Sequence, residues 1–345
     1  MILLINTKKR LEFGLPSFKT DKSRLFDAET AGQEQQIAFI EKELQNSLSD
    51  SKGVIREMCN HIMLTKGKRV RPILVINSGL VFSPMSENLI YAATAAELIH
   101  MASLVHDDII DESPLRRKLP SVNKAFGKHY AVLCGDYLFA KAFEILSKRD
   151  FNRSMGLMVA AIQNMCHGEI IQAEGRINHE IDMDIYYERI SRKTAIFLAN
   201  CCKSGASVAG ADDEQIEIIG EFGLNIGYSF QIIDDILDYI GSIEVMGKPR
   251  GEDLRNGNIT MPVIFLLENN EYKKWIKDII EKDEITDKTV GNITIALKES
   301  GAIEKSLKIA QSHIDVAKKC LGMLPKSRYI DFLNSMADAL QTRVN

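Results

Sequence analysis

An all-α fold is predicted by three features of the sequence. Only eight prolines occur in 345 residues, and none lies between Pro120 and Pro249, so a long central stretch holds no residue that would interrupt a helix. That stretch is rich in Ala, Leu, Ile, Glu, Lys and Met, which cost least to place in a helix. Apolar side chains recur at helical spacing, as in Tyr137, Phe139, Ala140, Phe143, Ile145 and Leu146. Alternating runs joined by Asn-Gly or Asp-Gly turns are lacking.

Taken in order, residues 1–30 are polar, mixed in charge and weakly periodic, and read as a weakly ordered lead-in. One domain is expected over residues 31–345. Helix breaks are expected at Gly67–Pro72, Ser83–Ser86, Ser113–Pro120, Gly210–Asp213 and Gly241–Gly257, where Gly, Pro and Ser gather. The last is a long charged loop inside a helical chain, and loops of that kind often carry function. Glu268–Asp287 is charge-rich and reads as a solvated helical excursion. No linker or short-period repeat divides the chain.

With 45% hydrophobic and 26% charged residues the chain has enough apolar surface for a large core. A net charge of -4 argues against a nucleic-acid partner, which asks for a basic excess. The six cysteines are scattered without CxxC or zinc-ligand spacing, as reduced thiols of a cytosolic protein would be. The opening MILLI precedes its charges and is too short to span a bilayer. A cytoplasmic protein without a transmembrane segment is expected.

Two acidic clusters carry the chemistry: Asp107-Asp108-Ile109-Ile110-Asp111 and Asp234-Asp235-Ile236-Leu237-Asp238. Each closes an apolar helical run. Residues four apart share a helix face, so Asp107 with Asp111, and Asp234 with Asp238, form carboxylate ledges. Such pairs repel one another, and at helix C-termini the macrodipole disfavours them by a further ~0.3–1 kcal/mol. A cation should compensate. Paired hard oxygens suit Mg²⁺, which binds through one or two carboxylates together with substrate phosphates. Basic runs bracket the ledges: Gly67-Lys68-Arg69-Val70-Arg71-Pro72, Arg116-Arg117, Lys193-Thr194 and Lys248. Guanidinium and ammonium groups placed so suit a diphosphate.

In order along the chain, GKRVRP, HDDIIDESPLRRKLPSV, GDYL, SRKTA, FQIIDDILD and GKPRGEDLRNGNITMP resemble the motif set of the trans-isoprenyl diphosphate synthases, the polyprenyl synthetase family. The resemblance runs from about Gln35 to the C-terminus. It implies the isoprenoid synthase fold, a single helical bundle around a central cavity, usually in a homodimer. It implies head-to-tail condensation of isopentenyl diphosphate with an allylic prenyl diphosphate. By the resemblance Asp107, Asp111 and Asp234 would be the principal Mg²⁺ ligands, supported by Asp108, Asp235 and Asp238. Arg116, Lys193 and Lys248 would hold the allylic diphosphate. Lys68, Arg71, His100 and Arg117 would hold isopentenyl diphosphate, and Thr194 and Gln231 would face the developing allylic cation. Asn258 stands where relatives usually carry a second lysine, with Arg250 and Arg255 as substitutes to consider.

His100 lies seven residues before Asp107, two turns away on the same helix face. Glu97 to His100 also spells ExxH, but no second ExxH exists to complete a di-iron bundle. The family shortens its product with bulky aromatics four or five residues before the first Asp. Here Ser103 and Ala102 stand there, which predicts a long product of about 35–40 carbons, at about 5.4 Å of depth per turn. Geranylgeranyl diphosphate is the nearest alternative. A class I terpene cyclase would carry a different second metal motif, and a non-catalytic scaffold would be expected to lack an Asp. A small second subunit, as in some relatives, and transient membrane association for product release remain compatible with the sequence.

Overall fold

A computed structural model describes residues 23–65, 67–178, 182–241, 250–281 and 285–342. Residues 1–22 and residues 242–249 of the predicted 241–257 loop, Lys248 among them, lie outside them. Helix α1 (Ser23–Leu48) takes up the end of the predicted lead-in, residues 23–30. It is followed by α2 (Gly53–Leu64), α3 (Val70–Leu80) and α4 (Glu87–Ile110). After α5 (Val122–Phe126) come α6 (Lys128–Ser147), α7 (Asn152–Asn178) and α8 (Met183–Ile190). The second half holds α9 (Ile196–Val208), α10 (Asp213–Ile240), α11 (Glu252–Arg255) and α12 (Met261–Leu267). The chain ends in α13 (Asn270–Glu281), α14 (Asp287–Glu299), α15 (Ala302–Gly322) and α16 (Arg328–Gln341).

Local chemistry explains where the two central helices begin. Ser86 caps α4 by accepting a bond from the Leu89 amide. A capping box opens α10: Asp212 accepts from the Gln215 amide, and the Gln215 side chain accepts from the Asp212 amide. Each supplies partners to amides that the helix itself leaves unpaired.

Helix α4 buries Ala92, Ala95, Leu98, Ile99 and Ala102 and so is apolar on nearly every side. By length and composition alone it could cross a bilayer, but 67% of its most apolar window is buried against other helices. It packs along α6 and α3, while α10 packs on α9 and α15.

The core has two parts. One, built from α1–α7, α9 and the last two helices, includes Leu44, Leu98, Leu138, Phe197 and Phe222; the other includes Tyr186, Ile233, Leu254, Ile264 and Ile293. Helix α10 belongs to both, through Ile219 and Ile226 on one side and Ile232 and Ile236 on the other. At ~1.5–3 kcal/mol for each fully buried Ile or Leu, this shared helix ties the two parts together. Its C-terminal third, carrying the second acidic ledge, is thereby fixed relative to α4.

The predicted break at Ser113–Pro120 is a small hairpin. Strands β1 (Leu115–Arg116) and β2 (Leu119–Pro120) pair antiparallel, with Leu115 opposite Pro120 and Arg116 opposite Leu119. Arg117 and Lys118 form its two-residue turn, at φ 50° and 69°. Left-handed conformations at both positions suit such a hairpin but strain residues with a Cβ.

Candidate active site

The C-terminus of α4 delivers three carboxylates into three different settings. Asp107 is pushed up to about 6 by burial; Lys193 opposes the shift and Glu169 and Asp111 add to it. Asp108 is buried and accepts from Arg116, whose Nε lies 3.0 and 3.2 Å from its two oxygens and whose Nη2 lies 2.5 Å from Oδ1. Burial raises Asp108 while this pair opposes the rise. Asp111, at the outer end, accepts from Arg176 Nη2 at 3.2 Å. Asp108 and Arg116, expected on a metal and a diphosphate respectively, thus face one another.

The second ledge is tied by a relay of hydrogen bonds. Thr194 Oγ1 donates to Gln231 Oε1 at 2.9 Å, and Gln231 Nε2 donates to Asp235 Oδ1 at 2.9 Å. Tyr186 donates its hydroxyl to Asp235 Oδ2 at 2.7 Å. Burial, reinforced by Asp253, pushes Asp235 upward against these bonds. With the Thr194 proton committed to Gln231, the lone pairs of its oxygen are what it has to offer elsewhere. Asp234 is half-buried on α10. Asp238 differs from the expected supporting ligand: it is buried, and its Oδ2 accepts the Asp253 amide at 3.2 Å. It anchors the returning chain at α11.

Lys193 and Thr194 sit on a π-helical turn, Ser191–Ala195, inserted between α8 and α9. Such turns are rare and gather at functional sites. Two close approaches hold this one. A Cβ on Gly227 of α10 would fall 2.4 Å from the Ala195 Cα, and one on Gly168 of α7 would fall 2.7 Å from the Lys193 Cγ. Lys193 Nζ then reaches Glu169 Oε2 at 2.5 Å and Gln172 Oε1 at 2.9 Å.

A cavity of about 800 Å³ lies between the ledges, and its lining includes Asp108, Asp111, Arg116, Lys193, Thr194, Gln231 and Asp235 but not Asp107, Asp234 or Asp238. A second, smaller cavity lies on the other side of the Asp108–Arg116 pair and is lined by Arg69, His100, Arg116 and Arg117. Arg71 is not part of that lining, but its Nη1 lies 3.0 Å from His100 Nε2. A guanidinium only donates, so Nε2 accepts and the ring proton is on Nδ1. Burial, with Arg71 and Arg117 adding to it, holds His100 well below its ordinary value and therefore neutral. Its Nδ1 has no partner among the described residues, a buried donor that a ligand would satisfy. Arg117 reaches back to the Thr65 carbonyl at 3.1 Å, next to exposed Lys68. The hairpin and the α2–α3 turn thus meet around one basic cavity.

The donor set of the ledges suits a hard divalent ion. Among the described residues no three acidic, His or Cys side chains form a ready metal cluster. Each ledge offers carboxylates, one or two of which Mg²⁺ takes when water and phosphate complete its shell, and burial pushes Asp107 up to about 6 although Lys193 opposes the rise.

A family profile described as polyprenyl synthetase matches residues 52–297. The chain belongs to the polyprenyl synthetase family. Heptaprenyl diphosphate synthase component 2 of Geobacillus stearothermophilus is 35% identical over 87% of this chain and 93% of its own. The crystal structure of heptaprenyl diphosphate synthase from Staphylococcus aureus matches with a TM-score of 0.84 at 31% identity, covering 90% of this chain and 98% of that one. A polyprenyl synthase from Caulobacter crescentus, complexed with calcium and isoprenyl diphosphate, matches with a TM-score of 0.84 at 29% identity, covering 90% and 96%. The predicted all-helical synthase fold is therefore the observed one, and the chain is a prenyltransferase of this family.

Several polar residues of the polyprenyl synthetase site escaped sequence reasoning. Glu169, Gln172 and Arg176 follow one another by three and four residues on α7, a polar stripe at helical spacing that was legible in principle. Tyr186 and Arg189 gave no such signal. Arg189 donates to the Ile259 carbonyl at 2.8 Å and helps line the larger cavity. Arg250 and Arg255, weighed as stand-ins for the missing lysine, are committed elsewhere: Arg250 to the Gly241 carbonyl and Arg255 to the Ile285 carbonyl and Asp287. Ala102 is fully buried in the larger core cluster, and the half-buried Ser103 turns its hydroxyl to the His100 carbonyl at 2.9 Å. Neither residue lines the two cavities.

Proposed function

We propose that this prenyltransferase condenses isopentenyl diphosphate with an allylic prenyl diphosphate, repeatedly and with trans geometry, to give a product of about 35–40 carbons. One observation carries the reading: two cavities share the Asp108–Arg116 pair, a large one in which carboxylates and cations face one another and a small one where Arg69, Arg116 and Arg117 gather around His100. The first suits a diphosphate held with a metal, the second a diphosphate held by guanidinium groups.

Asp107, Asp111 and Asp234 would hold Mg²⁺, which when bound supplies positive charge against the diphosphate of the allylic substrate. Lys193 and Arg116 add cations on that side, and Lys248, outside the described residues, is assigned there by the family resemblance alone. The allylic C–O bond breaks with its electron pair leaving on diphosphate, and Thr194 and Gln231 turn oxygen atoms to the carbon left positive. Lys68, Arg71, His100 and Arg117 hold isopentenyl diphosphate, whose double bond forms the new C–C bond before a proton is lost. Neutral His100 contributes its Nδ1 proton as a hydrogen bond, and apolar α4 keeps water from the cation.

A cytoplasmic homodimer is the proposed state, with transient membrane contact for release of a long product. One observation favours a second assembly: the Geobacillus relative is named component 2, which supports an enzyme working with a separate small subunit. Size-exclusion chromatography coupled to light scattering, alongside elongation assays of the purified chain, separates the two. A dimer active alone supports the first, and an inactive chain that gains activity with a second subunit supports the other.

A further inference from the structure

Helix α7 carries Glu169, Gln172 and Arg176 at helical spacing, and the last two line the larger cavity. The first two are spent on Lys193. Arg176 extends one turn further, to the rim, where its Nη2 lies 3.2 Å from Asp111 and its Nε donates to Asn258 Oδ1 at 2.9 Å. Arg176, Asp111 and Asn258 all line the cavity. The neighbouring Gly257, in the left-handed region at φ 75°, lies against the arginine stem: a Cβ there would be 3.6 Å from the Arg176 Cγ, in ordinary contact. Residues 257 and 258 thus cradle Arg176 from two sides. The Asp111–Arg176 pair is only partly buried, with side chains 33% and 24% exposed. Pairs so exposed contribute little to folding, so stability does not account for the cradle.

Position 258 carries an amide and no charge. An amide at 258 brings no charge to a phosphate, but it does orient a guanidinium. We propose that Arg176 supplies the allylic-diphosphate cation at this rim, that Gly257 and Asn258 position it, and that it exchanges Asp111 for phosphate oxygens when substrate binds. The guanidinium fork matches two phosphate oxygens at once, and the exchange releases Asp111 for the metal. The inference rests on the prenyl-transfer reading above.

The test uses the full chain with Mg²⁺. Calorimetry measures binding of the non-ionising analogue farnesyl thiolodiphosphate, and steady-state kinetics give separate KM values for farnesyl diphosphate and isopentenyl diphosphate. Arg176→Ala is expected to weaken the analogue, and to raise the allylic KM, by about tenfold to a hundredfold, the loss of a charge-assisted contact. The isopentenyl diphosphate KM stays within about twofold, because its cavity uses other cations. In Arg176→Ala/Asn258→Lys the transplanted cation restores most of the allylic affinity. Arg176→Gln, which keeps the stem on Gly257, replaces the alanine variant if that variant melts early. Analogue binding unchanged in Arg176→Ala, both KM values rising together, or no rescue by Asn258→Lys overturns the inference. Wild-type protein that neither binds the analogue nor elongates a primer overturns the prenyl-transfer reading itself.

Discussion

Asp107 shows how a functional carboxylate is held against its own preference. Its folded value, pushed up to about 6 by burial, lies above the ordinary 3.8, so the folded chain binds more protons than the unfolded chain between those values. Stability contributed by this group is therefore lost as pH rises through that window. In EDTA, Asp107→Asn is expected to melt at or above the wild-type temperature at pH 7.5, with the difference shrinking by pH 4, while elongation activity is lost. A variant several degrees less stable at pH 7.5 would mean that Asp107 is structural. Asp235 makes the complementary case, because two donors hold it. Tyr186→Phe removes one of them at a buried carboxylate and should cost about 1–3 kcal/mol in urea unfolding. Circular dichroism monitors it, and an unchanged midpoint contradicts the relay. The DDxxD spacing made these aspartates visible in the sequence. It did not distinguish Asp107 from Asp238, which accepts a loop amide, because both sit in the same five-residue pattern and only the third dimension separates them.

At the scale of elements, the helices were legible because the proline-free stretch and the apolar periodicity report on backbone and burial directly. The hairpin at 115–120 was not. Its turn uses Arg117-Lys118, both at positive φ, where Asn-Gly would be read as a turn, and two residues with a Cβ give no such signal. The π-turn at Ser191–Ala195 was likewise hidden, for its signal is the pair of glycines on neighbouring helices that let it in. Gly227→Ala tests that account. With Ala195 Cα 2.4 Å from the added Cβ, overpacking should cost about 1–3 kcal/mol and displace Lys193 and Thr194. Turnover is then expected to fall by more than tenfold while the far-ultraviolet spectrum stays helical, an estimate in keeping with ångström-scale misplacement of catalytic groups. Full activity in that variant would detach the turn from the chemistry.

For the whole molecule, α10 joins the two parts of the core and so fixes one acidic ledge relative to the other. A central cavity was expected from motif order, since ligands near positions 68, 107, 193, 234 and 248 would have to converge. Product length was less legible. Ala102 and Ser103 are small, but Ala102 is fully buried among apolar neighbours, and close helix packing also favours small residues. Ala102→Phe is expected to shorten the product and to destabilise the chain by about 1–3 kcal/mol through overpacking. Chromatography of the products against prenyl standards reads the first effect and thermal melting the second. An unchanged product length removes Ala102 from the path of the growing chain.

The central claim, that the two cavities bring a metal-held and a metal-free diphosphate together for chain elongation, is tested most directly by one incubation. Purified chain is mixed with farnesyl diphosphate, isopentenyl diphosphate and Mg²⁺, and the products are resolved by chromatography with and without EDTA. The predicted result is a linear prenyl diphosphate of about 35–40 carbons, at about 5.4 Å of cavity depth for each helical turn, formed only when the metal is present. A cyclised hydrocarbon, or elongation that persists in EDTA, would contradict it.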